Sequence, residues 1–132
     1  MPQFRVNVKV EQKGVLFNAA ASKAAANRAV VQVNEVLAQE GVNRVQSRLG
    51  HVLQNPSGFY QSKIQVERRS IYRGFSDGGV IYGGWLEGTS SMNRATRFKG
   101  YRTFRIVREE LNRDKAAIVA PVITQLVREL SQ

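Results

Sequence analysis

The chain has 132 residues, of which 42% are hydrophobic and 23% are charged, and this length and composition predict one globular domain over residues 1–132. It has no cysteine and one histidine, which argues against disulfide bridges, thiolate chemistry and a zinc site. No apolar run reaches the roughly 20 residues of a membrane-spanning helix, and the formal net charge of +10 favours a polyanionic partner.

The N-terminal ten residues predict a strand with one buried face, because apolar and polar residues alternate along them. The apolar positions are Phe4, Val6, Val8 and Val10. The segment lacks the apolar stretch of a signal peptide, and the absence of cysteine favours synthesis in the cytoplasm. After Gly14, "VLF" at 15–17 could pair back onto this strand.

A long amphipathic helix is predicted from Asn18 to His51, because apolar residues recur there at nearly the helical period. The stripe consists of Val30, Val33, Leu37, Val45, Leu49 and Val52. Gly41 falls on the same stripe, where it either allows close packing or marks a kink.

A turn is predicted at 55–58, since Pro56 fixes φ and Gly58 permits a backbone conformation that other residues avoid. The alternating residues that follow predict a strand. Asp77, Gly78 and Gly79 then predict a hairpin that joins a strand at 69–76 to a strand at 80–87.

A second helical pattern starts at Thr103 and continues to Leu130, with Pro121 inside it. Proline removes one backbone hydrogen bond, so we expect a bend or a restart near this residue. The order of elements predicts an α+β fold: a small antiparallel sheet with a long helix in the N-terminal half and a C-terminal helix packed on one face.

The chain offers little for catalysis, and we expect neither an enzyme nor a bound cofactor or metal. His51 ends the first helix, where a histidine more often serves through its charge than as a catalytic base. Glu109 and Glu110 are adjacent and cannot share a helix face, so they are not a carboxylate pair. A small enzyme such as a nuclease is therefore the weakest interpretation.

The strongest signal is a basic window at residues 94–108, which holds six basic residues and no acidic residue: Arg94, Arg97, Lys99, Arg102, Arg105 and Arg108. Three aromatic residues, Phe98, Tyr101 and Phe104, lie between them. If the arginines contact phosphates and the aromatic rings stack on bases, this segment would bind single-stranded nucleic acid. The alternative is that the aromatics anchor a loop into the core while the cations stay at the surface.

These residues resemble the tail-completion or head-to-tail joining (neck) proteins of long-tailed double-stranded DNA bacteriophages. The resemblance covers roughly residues 45 to 130 and rests on order and spacing. A helix leads to a turn with Pro56, Gly58 and Ser62; "YGGWLEGT" at 82–89 follows; and a variable loop precedes a C-terminal helix that begins at Phe104 and Arg105. The family's proline-rich loop and the Asp-Thr before its first glycine are missing here.

The resemblance implies a non-enzymatic virion protein that assembles as a hexameric homo-oligomeric ring between the connector and the tail tube, with no membrane contact. It implies contacts with neighbouring connector and tail-tube proteins, and with DNA that passes through the channel. We expect a partner or DNA interface at Arg94, Arg97, Lys99, Arg102 and Arg105. We expect a subunit interface at Trp85 and Leu86, with a place for Trp85 in the chain's own core as the open alternative.

A second function remains open beside the virion protein. The basic window at 94–108 could belong to a small basic nucleic-acid-binding module that works outside a virion. Flanking capsid, portal or tail-tube genes would favour the virion protein over this module.

Overall fold

The sheet is three-stranded and antiparallel, with the order β1-β3-β2, in a computed structural model that describes residues 5–8, 23–53 and 58–130. Its strands are β1 (Arg5–Val8), β2 (Gln65–Arg69) and β3 (Tyr72–Ser76). Val6 and Val66 both pair with Phe75, so these three side chains lie on one face of the sheet. The alternation of the N-terminal segment therefore predicted β1 correctly, while "VLF" at 15–17 lies outside the described residues.

The hairpin is formed by β2 and β3, and this corrects the predicted hairpin at 77–79. Arg69 pairs with Tyr72, so Ser70 and Ile71 form a two-residue connection, in which Ser70 has φ 55°. Asp77 accepts the backbone N–H of Gly79 at 2.9 Å and directs the chain away from the sheet. Because β3 already pairs with β1 on one edge and with β2 on the other, it has no free edge for a strand at 80–87.

Two long helices carry most of the structure: α1 (Lys23–Val52) and, at the C-terminus, α5 (Thr103–Leu130). The predicted apolar stripe of α1 is confirmed, since Val30, Val33, Leu37, Val45 and Leu49 are buried. The helices run antiparallel, and Arg44 of α1 joins them through Asp114 at 2.9 Å and Glu110 at 3.5 Å. The fold is α+β, as predicted.

Gly41 brings α1 directly against the sheet. A Cβ atom at this position would lie 2.3 Å from Cε1 of Phe75, whose side chain is fully buried. The aromatic ring thus occupies the space that any larger residue would need. Of the two interpretations of Gly41, close packing is confirmed.

Polar contacts fix the turn of the hairpin to the same helix. Buried Asn34 donates from Nδ2 to the carbonyl oxygen of Ile71 at 3.1 Å. Glu35 accepts hydrogen bonds from Arg68 at 2.8 Å and Arg73 at 2.7 Å. The bond from Arg68, followed by that from Arg73, holds the pKa of the Glu35 carboxyl below its usual value despite the cost of burial.

Three short helices occupy segments that the sequence predicted as turn, strand and irregular loop. They are α2 (Phe59–Ser62), α3 (Gly83–Glu87) and α4 (Met92–Thr96). The strand predicted at 80–87 is wrong because Gly83 packs directly on the carboxylate of Asp77: a Cβ there would lie 1.9 Å from Oδ2. Two consecutive glycines without side chains allow this tight helical entry. Pro56 and Ser57 of the predicted turn lie outside the described residues.

The C-terminal helix continues through Pro121 as one element, so the expected restart does not occur. The proline costs the hydrogen bond to the carbonyl of Ala117. Both residues are exposed, so water can bind that carbonyl in place of the missing N–H. The periodic pattern from Thr103 onward predicted this helix correctly.

Candidate functional site

The basic window begins inside a loop, residues 88–102, whose two ends cross at a pair of glycines. A Cβ on Gly88 would lie 2.2 Å from the carbonyl oxygen of Lys99, and one on Gly100 would lie 2.3 Å from the Cα of Gly88. Both glycines have positive φ, 102° and 86°. The backbone N–H of Tyr101 donates to the carbonyl oxygen of Leu86 at 2.7 Å and closes the crossing. This part of the chain is a compact loop whose ends are adjacent.

Asn93 holds the interior of the loop with every hydrogen-bonding group of its side chain. Its Nδ2 donates to the carbonyl oxygens of Trp85 at 2.8 Å and Phe98 at 2.7 Å. Its Oδ1 accepts the backbone N–H of Ser90 at 2.9 Å. One short side chain therefore fixes three backbone groups, so the loop has a defined conformation without strand or long-helix pairing.

The aromatic residues pack against the base of the loop rather than facing solvent. The rings of Trp85 and Phe98 are 4.5 Å apart between centroids, and those of Phe98 and Tyr101 are 5.1 Å apart. Trp85 also donates from Nε1 to Thr96 at 2.9 Å. Phe104 is buried and stacks on Phe75 at 6.0 Å. The structure thus favours the anchoring interpretation of the aromatics over base stacking.

Glu87 connects the loop to the start of α5. Its two carboxylate oxygens accept the backbone N–H groups of Phe104 at 3.0 Å and Arg105 at 3.1 Å. These N–H groups lie in the first turn of the helix and have no partner within it, so the carboxylate caps α5. Burial raises the pKa of the Glu87 carboxyl, although the two backbone hydrogen bonds oppose that effect.

The cations of the predicted interface all lie at the surface: Arg94, Arg97, Lys99, Arg102 and Arg105 are exposed. Only Arg105 has an acidic partner among the residues that the structure describes, Glu109 at 3.3 Å. The other four project from the 88–102 loop and form no ion pair with any residue of the described ranges. The structure thus brings the predicted residues onto one loop and the helix that follows it.

Two of these arginines have a left-handed backbone conformation. Arg97 ends α4 with φ 61°, and Arg102 precedes α5 with φ 54°. For a residue with a Cβ this conformation costs about 1 kcal/mol, which glycine avoids. The loop is therefore less stable with arginine at these positions than it would be with glycine.

An arginine groove lies where β1, the loop and α5 meet, and sequence reasoning did not identify it. It is defined by Thr89, Arg102, Arg105 and Arg108, has a volume of about 330 Å³, and is completed by Val6, Glu87, Gly88 and Phe104. Arg108 lies outside the predicted interface. The three-residue spacing of the arginines at the helix start was the available signal, because residues three apart are neighbours on a helix.

The residues of the predicted subunit interface lie at the base of the loop. Leu86 is buried in the core of the chain, with 9% of its surface exposed. Trp85 is half-buried against Phe98. Leu86 therefore has little surface for another subunit, whereas a contact through Trp85 stays a prediction.

His51 lies exposed in the last turn of α1, as predicted, with Nδ1 2.8 Å from the carbonyl oxygen of Ser47. Among the described residues, no cluster of His, Cys, Asp and Glu side chains could hold a metal ion. In the same part of the chain, no helix combines the length and the apolar character that crossing a bilayer requires.

Comparisons with protein-family models, with curated proteins and with solved structures found no match for this chain.

Proposed function

We propose that this chain is a structural subunit of a bacteriophage head–tail junction, where it acts by assembling into a hexameric ring between connector and tail-tube proteins. The 88–102 loop is the observation that carries the proposal. It is fixed by its own hydrogen bonds and glycine crossing, and it displays four cations that form no ion pair with a residue that the structure describes. Such a loop fits a contact between proteins or with DNA better than it fits catalysis.

A ring also needs a second surface, because head-to-tail assembly joins two different patches of the same subunit. An apolar patch of Phe59, Ile81 and Tyr82 fits this role, with exposed fractions of 54%, 78% and 42%. Its two segments meet where the rings of Tyr60 and Tyr82 are 5.6 Å apart. We propose that a neighbouring subunit covers this patch, since exposed apolar side chains that lie together often mark a protein interface.

The first test is the mass of the purified chain by light scattering or mass photometry, alone and mixed with the adjoining connector and tail proteins. We expect a ring in at least one mixture. Ile81→Glu should abolish the ring without unfolding the subunit, because Ile81 is already exposed. Ile123→Glu is the matched control, since Ile123 is 37% exposed on α5, away from the patch. A strict monomer that never enters a particle would contradict the proposal.

The second test concerns the loop. Replacing Arg94, Arg97, Lys99 and Arg102 by serine or glutamine should leave the subunit folded and reduce the joining of heads to tails. Full joining and normal DNA retention by this variant would show that the cations have no role in assembly.

A small nucleic-acid-binding module that works outside a virion is the second candidate, and the arginine groove favours it. Phe98 and Tyr101 pack on each other and are half-buried, so such a module would rely mainly on phosphate contacts. Nucleic-acid binding that depends on Arg102, Arg105 and Arg108 but not on Phe98 or Tyr101, by a chain that never joins a particle, would favour this candidate.

A further inference from the structure

The arginine groove has the shape of a site for an elongated anion. Arg105 and Arg108 lie on successive turns of one side of α5, and Arg102 lies one step before the helix. Along a helix, the Cα atoms of residues three apart are separated by about 4.5 Å in the direction of the helix axis. Thr89 also lines the groove and carries a hydroxyl group.

The charge of the groove remains positive when its carboxylate is counted. Glu87 lines it and attracts Arg102, but its one carboxylate faces three arginines, Arg102, Arg105 and Arg108. Glu109 pairs with Arg105 at 3.3 Å, yet both side chains are more than half exposed, and such a pair exchanges easily for a stronger anion. Arg102 and Arg108 have no acidic residue within ion-pair distance in the described chain.

We propose that the arginine groove binds the phosphodiester backbone of DNA, an inference that rests on the proposed place of the subunit around the DNA channel. Guanidinium groups form paired hydrogen bonds with phosphate oxygens, and several of them in a row match a polymer of phosphates. Contacts to phosphate oxygens position a protein on DNA but carry no information about base sequence. The groove therefore holds duplex DNA without regard to sequence.

The backbone of Arg102 is an independent reason to assign a role to its side chain. With φ 54°, the position suits glycine better than arginine. Strained residues of this kind cluster at ligand-binding sites, and here the side chain of the strained residue lines the groove. Glycine at this position separates the two properties: it relaxes the backbone and removes one phosphate contact.

The experiment measures binding of the full chain to a short mixed-sequence DNA duplex between about 50 and 200 mM salt. Arg102→Gly, Arg105→Gln and Arg108→Gln should each weaken binding several-fold and lower the slope of log affinity against log salt by roughly 0.9. Arg102→Gly should also keep or raise the melting temperature. Lys115→Gln is the matched control, because it removes one exposed charge from the same helix outside the groove.

Three results would overturn the inference: duplex binding that none of the three arginine variants changes, an equal loss with Lys115→Gln, or tighter binding of polyglutamate than of DNA at the groove. The last result would assign the groove to an acidic protein partner. Failure of the proposed function appears differently, as a chain that never enters a ring or particle. If an arginine variant joins particles normally and also binds the DNA duplex as tightly as wild type, the result contradicts only the DNA-binding role of the groove and leaves the proposed function intact.

Discussion

Two regions of the molecule are held together by opposite means: the contact of α1 with the sheet, and the 88–102 loop. In the first, Gly41 lies on the fully buried ring of Phe75, so shape and apolar burial decide the geometry. In the second, Asn93 and the crossing of Gly88 with Gly100 fix the backbone, while the cations point outward.

The difference separates stability from recognition in this chain. Removing apolar contacts around Phe75 lowers the stability of the whole domain. The neighbouring side chains of a close-packed core cannot rearrange to fill the space that is left. The loop depends on a few hydrogen bonds that its charged side chains do not make. Its surface can therefore be changed without loss of the fold, which is the arrangement expected of a partner-binding loop.

The largest effect is expected from a charge in the apolar region. Leu37→Asp places an unpaired carboxylate on the buried stripe of α1, where Leu37 is 3% exposed. Burial of an unpaired charge costs several kcal/mol, comparable with the total stability of about 5–15 kcal/mol, so we expect little folded protein. Circular dichroism and yield of soluble protein check this. Wild-type melting would contradict our assignment of the inner face.

A smaller loss is expected when Gly41 is replaced by alanine. The new methyl group would collide with the ring of Phe75, which is enclosed on all sides, and such overpacking costs about 1–3 kcal/mol. Gly50→Ala is the matched control: Gly50 lies on the same helix with open space around it. There alanine should stabilise by about 0.5–1 kcal/mol through its higher helix propensity. Equal effects at both positions in denaturant unfolding would exclude the close contact.

The connection between the loop and α5 should show an intermediate effect. Glu87→Ala removes the hydrogen bonds that the carboxylate accepts from the backbone N–H groups of Phe104 and Arg105, which we expect to cost about 1–2 kcal/mol. Glu109→Ala is the control, because this exposed residue of the same helix only pairs with Arg105, and its loss should cost less than about 0.5 kcal/mol. Similar unfolding free energies for the two variants would argue against capping by Glu87.

The cost of Glu87→Ala should also depend on pH. The folded state raises the pKa of Glu87 above its ordinary value of 4.5, so it binds this proton more tightly than the unfolded chain does. The contribution of Glu87 is therefore complete below about pH 4.5 and declines as pH rises through the folded pKa. The difference in stability between wild type and variant should be larger at low pH. If the stability difference between wild type and variant instead grew as the pH rises, the pKa of Glu87 would be lowered by folding rather than raised.

The smallest effect is expected from the surface of the loop. Replacing Arg94, Arg97, Lys99 and Arg102 together by serine or glutamine should change the free energy of unfolding by less than about 0.5 kcal/mol, because exposed side chains make few contacts. Asn93→Ala in the same loop should cost about 1–3 kcal/mol, since it removes three hydrogen bonds. If the fourfold variant melts far below wild type, the separation of recognition from stability is wrong.

Local pattern was enough to predict the elements that bury a long apolar stripe. The helical period over α1 and α5 and the alternation around Val6 each describe a face that must meet a core, and the structure buries those faces. The local density of charge likewise predicted the exposed cations. These features follow from repeats of a few residues, so the sequence by itself determined them.

Contacts between distant residues decided the rest. The segment 80–87 is short, apolar and rich in glycine, and periodicity cannot tell a strand from a helix in such a run. Its helix depends on the approach of Gly83 to Asp77, and the loop after it depends on Gly100 crossing Gly88. The arginine groove forms only once Thr89 is folded against the start of α5. Only the tertiary structure could establish these features, because each arises from two segments that meet in space.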